Sequence, residues 1–174
     1  MKISPWFWIP ALVLGLVVAI WVGARGAISF RTVISARFPE VQWVDSATLS
    51  QWARGAPGTQ PEILDVRTEA EFEVSHLQGA RRVDPDDPKI ESLQIAPDAT
   101  VVVYCSVGYR SAAIIKQLQR AGITNVYNLE GGIFAWANDD RPLYRDQERT
   151  SVVHPYDELW GRFLRKDLRA TGRK

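Results

Sequence analysis

Hydrophobic and polar positions divide the chain into three unlike stretches. Residues 6–23 read WFWIPALVLGLVVAIWVG, eighteen in a row without a charge. At 1.5 Å per residue a helix of that length spans about 27 Å, close to the thickness of a bilayer's hydrocarbon core. Trp6, Trp8 and Trp21 lie near the two ends, where indole rings favour the lipid–water boundary. Pro5 and Pro10 fall in the first turns, where a missing amide donor costs least. A cleaved signal peptide normally has a shorter apolar run and a more basic start than Lys2 alone. The stretch therefore predicts a retained transmembrane anchor over residues 1–24, followed by a juxtamembrane linker over 25–39.

From residue 40 the pattern changes to short apolar runs alternating with amphipathic ones. Strands are expected at 41–44, 63–66, 80–83, 101–104 and 126–129. Helices are expected after Asp45 or Ser46, at 69–74, at 109–120 and at 133–137. The unbroken apolar run Val101–Tyr104 is what a strand buried on both faces requires. This alternation predicts an α/β domain over residues 40–145, with a mostly parallel sheet covered on both faces. In the remaining stretch, 146–174, Tyr156, Leu159, Trp160, Phe163, Leu164 and Leu168 follow helical spacing after Pro155. They predict a C-terminal amphipathic helix, with Arg162, Arg165, Lys166 and Arg169 in its later turns. It either packs on the domain or lies on an anionic membrane leaflet.

Charge follows the same division. The net charge of +1 is the sum of +4 over residues 1–39, −7 over 40–148 and +4 over 149–174. Arg25, Arg31 and Arg37 follow the apolar run with no acid before Glu40, so the positive-inside rule places the remainder in the cytoplasm. The expected localisation is a single-pass membrane protein. The basic residues near the C-terminus occupy one short segment without a recognised module, which argues against nucleic acid as a partner. One cysteine excludes a disulfide framework and a C-x-x-C pair. With only two histidines besides, no metal and no cofactor are expected.

The candidate chemistry sits in Thr100–Ala113, TVVVYCSVGYRSAA. A buried strand ends at Cys105 and a helix starts within about five residues. The thiol thus lies at the carboxyl end of a parallel strand, where open α/β sheets place their ligands. The turn aims backbone amides inward beside the positive end of a helix dipole, and Gly108 permits the positive φ this needs. Arg110 adds a fixed positive charge. Together these favour the Cys105 thiolate and suit an anionic group arriving at it.

Three motifs carry a family resemblance: ILDVRTEAEFEVSHLQGA from Ile63, CSVGYRS from Cys105, and NLEGGIFAW from Asn128. In that order and at that spacing, the sequence resembles the rhodanese family across residues 41–141. The resemblance implies a doubly wound, five-stranded parallel sheet and a persulfide on Cys105 that is passed to a nucleophile. It implies an anion-holding loop of Ser106, Val107, Gly108, Tyr109 and Arg110, with the Arg110 side chain facing the pocket. Asp65, Arg67 and Ser111 would be structural supports, and His76 a structural or capping residue. Ser75 stands where the family usually has glycine, which leaves the turn at His76 open. Four residues lie between Cys105 and Arg110; related Cys-based phosphatases enclose five, so the loop favours sulfur over phosphate. With no second thiol, the sulfur must leave to an external acceptor. The expected partners are a small anionic sulfur donor, a thiol acceptor and the membrane. The alternative is a catalytically idle module that recruits a partner at the membrane; an intact Cys105 favours the enzyme.

Overall fold

The structure is a computed structural model that describes residues 29–56 and 58–171. The anchor expected at residues 6–23 lies outside the described residues. Among those described, no helix is long and apolar enough to cross a membrane.

Five short parallel strands form the central sheet: β1 Gln42–Val44, β2 Glu62–Asp65, β3 Arg81–Arg82, β4 Val101–Tyr104 and β5 Val126–Leu129. Their spatial order is β1-β5-β4-β2-β3, which makes β4 the central strand. Helices α1 Phe30–Arg37, α2 Ser46–Trp52, α3 Glu69–Val74, α4 Tyr109–Arg120 and α5 Gly132–Asn138 accompany it. A hairpin of β6 Leu143–Arg145 and β7 Glu148–Thr150 follows.

The two faces of β4 belong to different cores, as the two-residue period of a strand dictates. Val101 and Val103 pack with Leu64, Val66, Ile115 and Leu118; Val102 and Tyr104 pack with Leu129, Ile133 and Phe134. Cys105 continues the first face, toward α4. Asp45 caps α2 by accepting the Thr48 amide at 2.7 Å. Thr68 and Glu71 form a capping box that starts α3.

Two stretches differ from the sequence expectation. Residues 30–37, within the expected linker, form α1, with Ser29 as N-cap and with Ile34 and Phe38 buried in the core. The domain's packing therefore begins about ten residues before the expected domain start at residue 40. The expected C-terminal amphipathic helix is not a helix. Residues 160–163 and 166–168 are single 3-10 turns, separated by extended backbone at Leu164 and Arg165. The reason is tertiary: Val153, Leu164 and Leu168 are buried against the sheet's second core, and Val153 bridges to Arg169. Trp160 and Phe163, two aromatics of that apolar stripe, pack with Phe30 of α1, ring centroids 6.1 and 4.7 Å away.

Candidate active site

The loop between β4 and α4 is fixed from below by α5. The amides of Ile133 and Phe134 donate to the carbonyls of Cys105 at 2.9 Å and Ser106 at 3.1 Å. Gly132 makes this approach possible: it sits at φ +58°, and a side chain there would lie 2.6 Å from the Ser106 carbonyl oxygen. With these two carbonyls held outward toward α5, the rest of the turn closes over the thiol. Gly108, at φ +110°, caps α4 and donates its amide to Cys105 Sγ at 3.1 Å.

Around Cys105 the environment is buried and electropositive. The Ser111 hydroxyl lies 3.7 Å from Sγ and donates to Asn128 Oδ1 at 2.7 Å. Asn128 Nδ2 in turn donates to the Gly108 carbonyl at 2.8 Å, which ties the loop to β5. Burial pushes the thiol's pKa up, but the Arg110 charge and the amides of Ser111 and Gly108 outweigh it and hold the pKa below the ordinary thiol value.

Arg110 is not turned freely toward an incoming anion. Its Nη1 and Nη2 donate to the two Glu71 carboxylate oxygens at 2.9 and 2.8 Å, and Nη2 also donates to Ser106 Oγ at 2.9 Å. The Ser106 hydroxyl donates to Glu71 Oε1 at 3.0 Å. Glu71 Oε2 further accepts from the Thr68 amide and hydroxyl, so the buried carboxylate is fully partnered. Burial opposes its charge; Arg110 overrides this and holds the carboxyl pKa down at about 2. The electropositive loop is therefore a paired one, and an anion would be met chiefly by backbone amides. Sequence reasoning placed Glu71 in a motif without giving it this role. Its capping-box spacing was visible, but its partner lies thirty-nine residues away.

The other expected residues fall in place around this centre. Asp65 and Arg67 form a fully buried pair, with Nη2 and Nε of the arginine at 2.6 and 2.9 Å from the carboxylate. Arg67 also holds the Ser75 carbonyl, which fixes the chain where α3 ends. Ser75 is extended at φ −171°, a conformation open to any residue, so no glycine is needed there. His76 stacks on Phe72 at 4.3 Å and pairs through its backbone with Tyr144 of β6. Val107 is buried in the second core, while Tyr109 packs edge-on against Phe38, 5.6 Å away, rather than over the thiol. Among the described residues no cluster of side chains is arranged to hold a metal ion.

Comparison with known proteins agrees with this architecture. The profile of the Rhodanese-like domain family matches residues 48–139. A protein of Allochromatium vinosum named "Sulfurtransferase" is 35% identical over 103 residues, covering 59% of this chain and 94% of that one. The "Probable adenylyltransferase/sulfurtransferase MoeZ" of Mycobacterium tuberculosis is 35% identical over 91 residues, 49% of this chain but only 22% of its own length. A crystal structure of a rhodanese-related protein from Thermoplasma volcanium superposes with a TM-score of 0.53 at 23% identity, over 60% of this chain and 98% of that one, a likeness of fold. With the matched residues enclosing β2 to α5 and the whole Cys105 loop, the chain belongs to the rhodanese-like domain family.

Proposed function

We propose that the chain is a sulfurtransferase that carries a sulfane sulfur as a persulfide on Cys105 and passes it to a thiol or another nucleophile. The observation that carries this reading is the Cys105 thiol at the end of the central strand, its pKa held down by Arg110 and the loop amides. The names of the relatives point the same way.

With thiosulfate as donor, the Cys105 thiolate attacks the sulfane sulfur. A new S–S bond forms to Sγ, the bond to the sulfonate sulfur breaks, and sulfite leaves with the electron pair. An acceptor thiolate or cyanide then attacks the outer sulfur. The bond to Sγ breaks, and Cys105 departs as thiolate with the pair. A low thiol pKa helps both halves, since it supplies the attacking thiolate and makes Cys105 a good leaving group. Cys105 is the chain's only cysteine, so no internal thiol competes for the persulfide.

The reading includes a membrane tether at residues 6–23 with the domain on the cytoplasmic side. The support is the length of the apolar run and the arginines that follow it. Only residues 24–29 separate that run from α1, which would hold the domain close to the bilayer. A reporter fused after Lys174 tests the side.

The catalytic claim is tested by thiocyanate formation from thiosulfate and cyanide. The wild-type chain is expected to turn over and Cys105→Ser to show none. A rate unchanged by that substitution would overturn the proposal.

A further inference from the structure

One contact to the Arg110–Glu71 pair comes from outside the stretch matched by the family. Tyr156 lies seventeen residues beyond the end of that match at residue 139, and its ring centroid is 5.0 Å from the Arg110 guanidinium carbon. It is the one exposed large hydrophobic side chain among the described residues, at 42%. Its backbone has φ +65°, the left-handed region that a tyrosine adopts only when its surroundings impose it.

The surroundings do impose it. On one side, Val153 bridges to Arg169, and His154 Nδ1 accepts the Tyr156 amide at 3.0 Å. On the other, Asp157 accepts the amides of Leu159 and Trp160 at 2.8 Å each. Gly161 lets the turn close, since a side chain there would lie 2.9 Å from Pro155 Cβ. A turn of this shape would take glycine without strain, and burial gives no reason for an aromatic. What the residue gains in this position is the face of Arg110. The in-plane N–H groups Nη1 and Nη2 are already engaged by Glu71 and Ser106, which leaves the flat face for a ring.

We propose that Tyr156 is a positioning residue of the Cys105 site: its ring holds the Arg110 guanidinium on Glu71 and Ser106, and so keeps a fixed cation beside the thiol. The inference rests on the sulfur-transfer reading for its purpose, but its geometry concerns only the resting enzyme. It makes the C-terminal segment part of the site rather than an appendage. The segment's buried anchors, Val153, Leu164 and Leu168, then serve to carry one ring to one arginine.

The test is the pH dependence of Cys105 alkylation by iodoacetamide, on the full chain and without any sulfur donor. A single cysteine makes the readout unambiguous. The charged or titratable groups around the thiol are Arg110 from α4 and Glu71 from α3, with the Tyr156 ring on the face of Arg110 and His154 joined to the Tyr156 amide; the contacts from β5 and α5 are uncharged. Tyr156→Leu is expected to raise the alkylation midpoint by about 0.5 pH unit, a roughly threefold loss of thiolate below it. Tyr156→Phe keeps the ring and is expected to keep the midpoint. In an Arg110→Ala background, Tyr156→Leu should change nothing further. An unmoved midpoint in Tyr156→Leu, or an equal rise in Tyr156→Phe, overturns the proposal. Because the site of substitution is exposed, both variants are expected to melt with the wild type, which a thermal scan checks. Sulfur uptake by the wild-type chain is scored separately. Uptake without the midpoint shift removes Tyr156's role and leaves sulfur transfer standing; a shift without uptake does the reverse.

Discussion

Among the described residues, two arginine–carboxylate pairs have a buried carboxylate, and they do different work. Asp65–Arg67 is wholly buried, both side chains at 0% exposure, whereas Glu71–Arg110 has its carboxylate buried and its guanidinium 22% exposed beside the reactive thiol. The first joins the end of β2 to the end of α3 and touches no reacting atom. The second joins α3 to the Cys105 loop and places its charge where it acts on sulfur. The same chemical pairing is scaffold when sealed and an electrostatic device when one edge reaches the site.

The largest effect should come from breaking the sealed pair. Arg67→Ala leaves Asp65 buried without its counter-charge, and urea unfolding is expected to show a loss of about 3–5 kcal/mol. Glu71→Gln, at the partly open pair, should cost less, about 2 kcal/mol by the same measurement. It should also alter the acid limb. Glu71's pKa is lowered in the fold from 4.5 to about 2, so its ionised form stabilises the native state above pH 4.5. That contribution drains away as pH falls from 4.5 toward 2, and the decline should be shallower in Glu71→Gln.

Arg110→Ala separates the site from the scaffold. It should raise the Cys105 alkylation midpoint by about one pH unit, since the arginine's charge is the leading influence that lowers it. The smallest effect belongs to Ser75. Its hydroxyl is buried and without a hydrogen-bond partner among the described residues. Ser75→Ala should therefore stabilise the chain by about 1 kcal/mol, with alkylation unchanged.

Much of this arrangement was legible in the sequence because it is local. The five strands, the helix after Gly108 and the position of Cys105 follow from apolar runs, capping residues and turn glycines that act within a few residues of each other. The Thr68–Glu71 capping box was equally visible, but Glu71's inward partner was not. No local pattern says that a carboxylate on α3 will meet Ser106 in the loop after β4 and Arg110 in the first turn of α4. The C-terminal stripe failed for a related reason. Its apolar spacing fits a helix, yet Pro155, the left-handed Tyr156 and Gly161 make turns, and burial of Val153, Leu164 and Leu168 rewards that path instead. Ser29 and the Phe30, Val33, Ile34 spacing did signal α1, but the neighbouring apolar run drew that stretch into a linker reading.

The central claim is that Cys105 is the atom that takes and gives up sulfur. Its most direct test is the intact mass of the full chain before and after thiosulfate, and again after cyanide. The account predicts a gain of one sulfur atom, its loss on cyanide, and no gain in Cys105→Ser. An unchanged wild-type mass with thiosulfate and with an organic persulfide as donors, or an equal gain in Cys105→Ser, would contradict it.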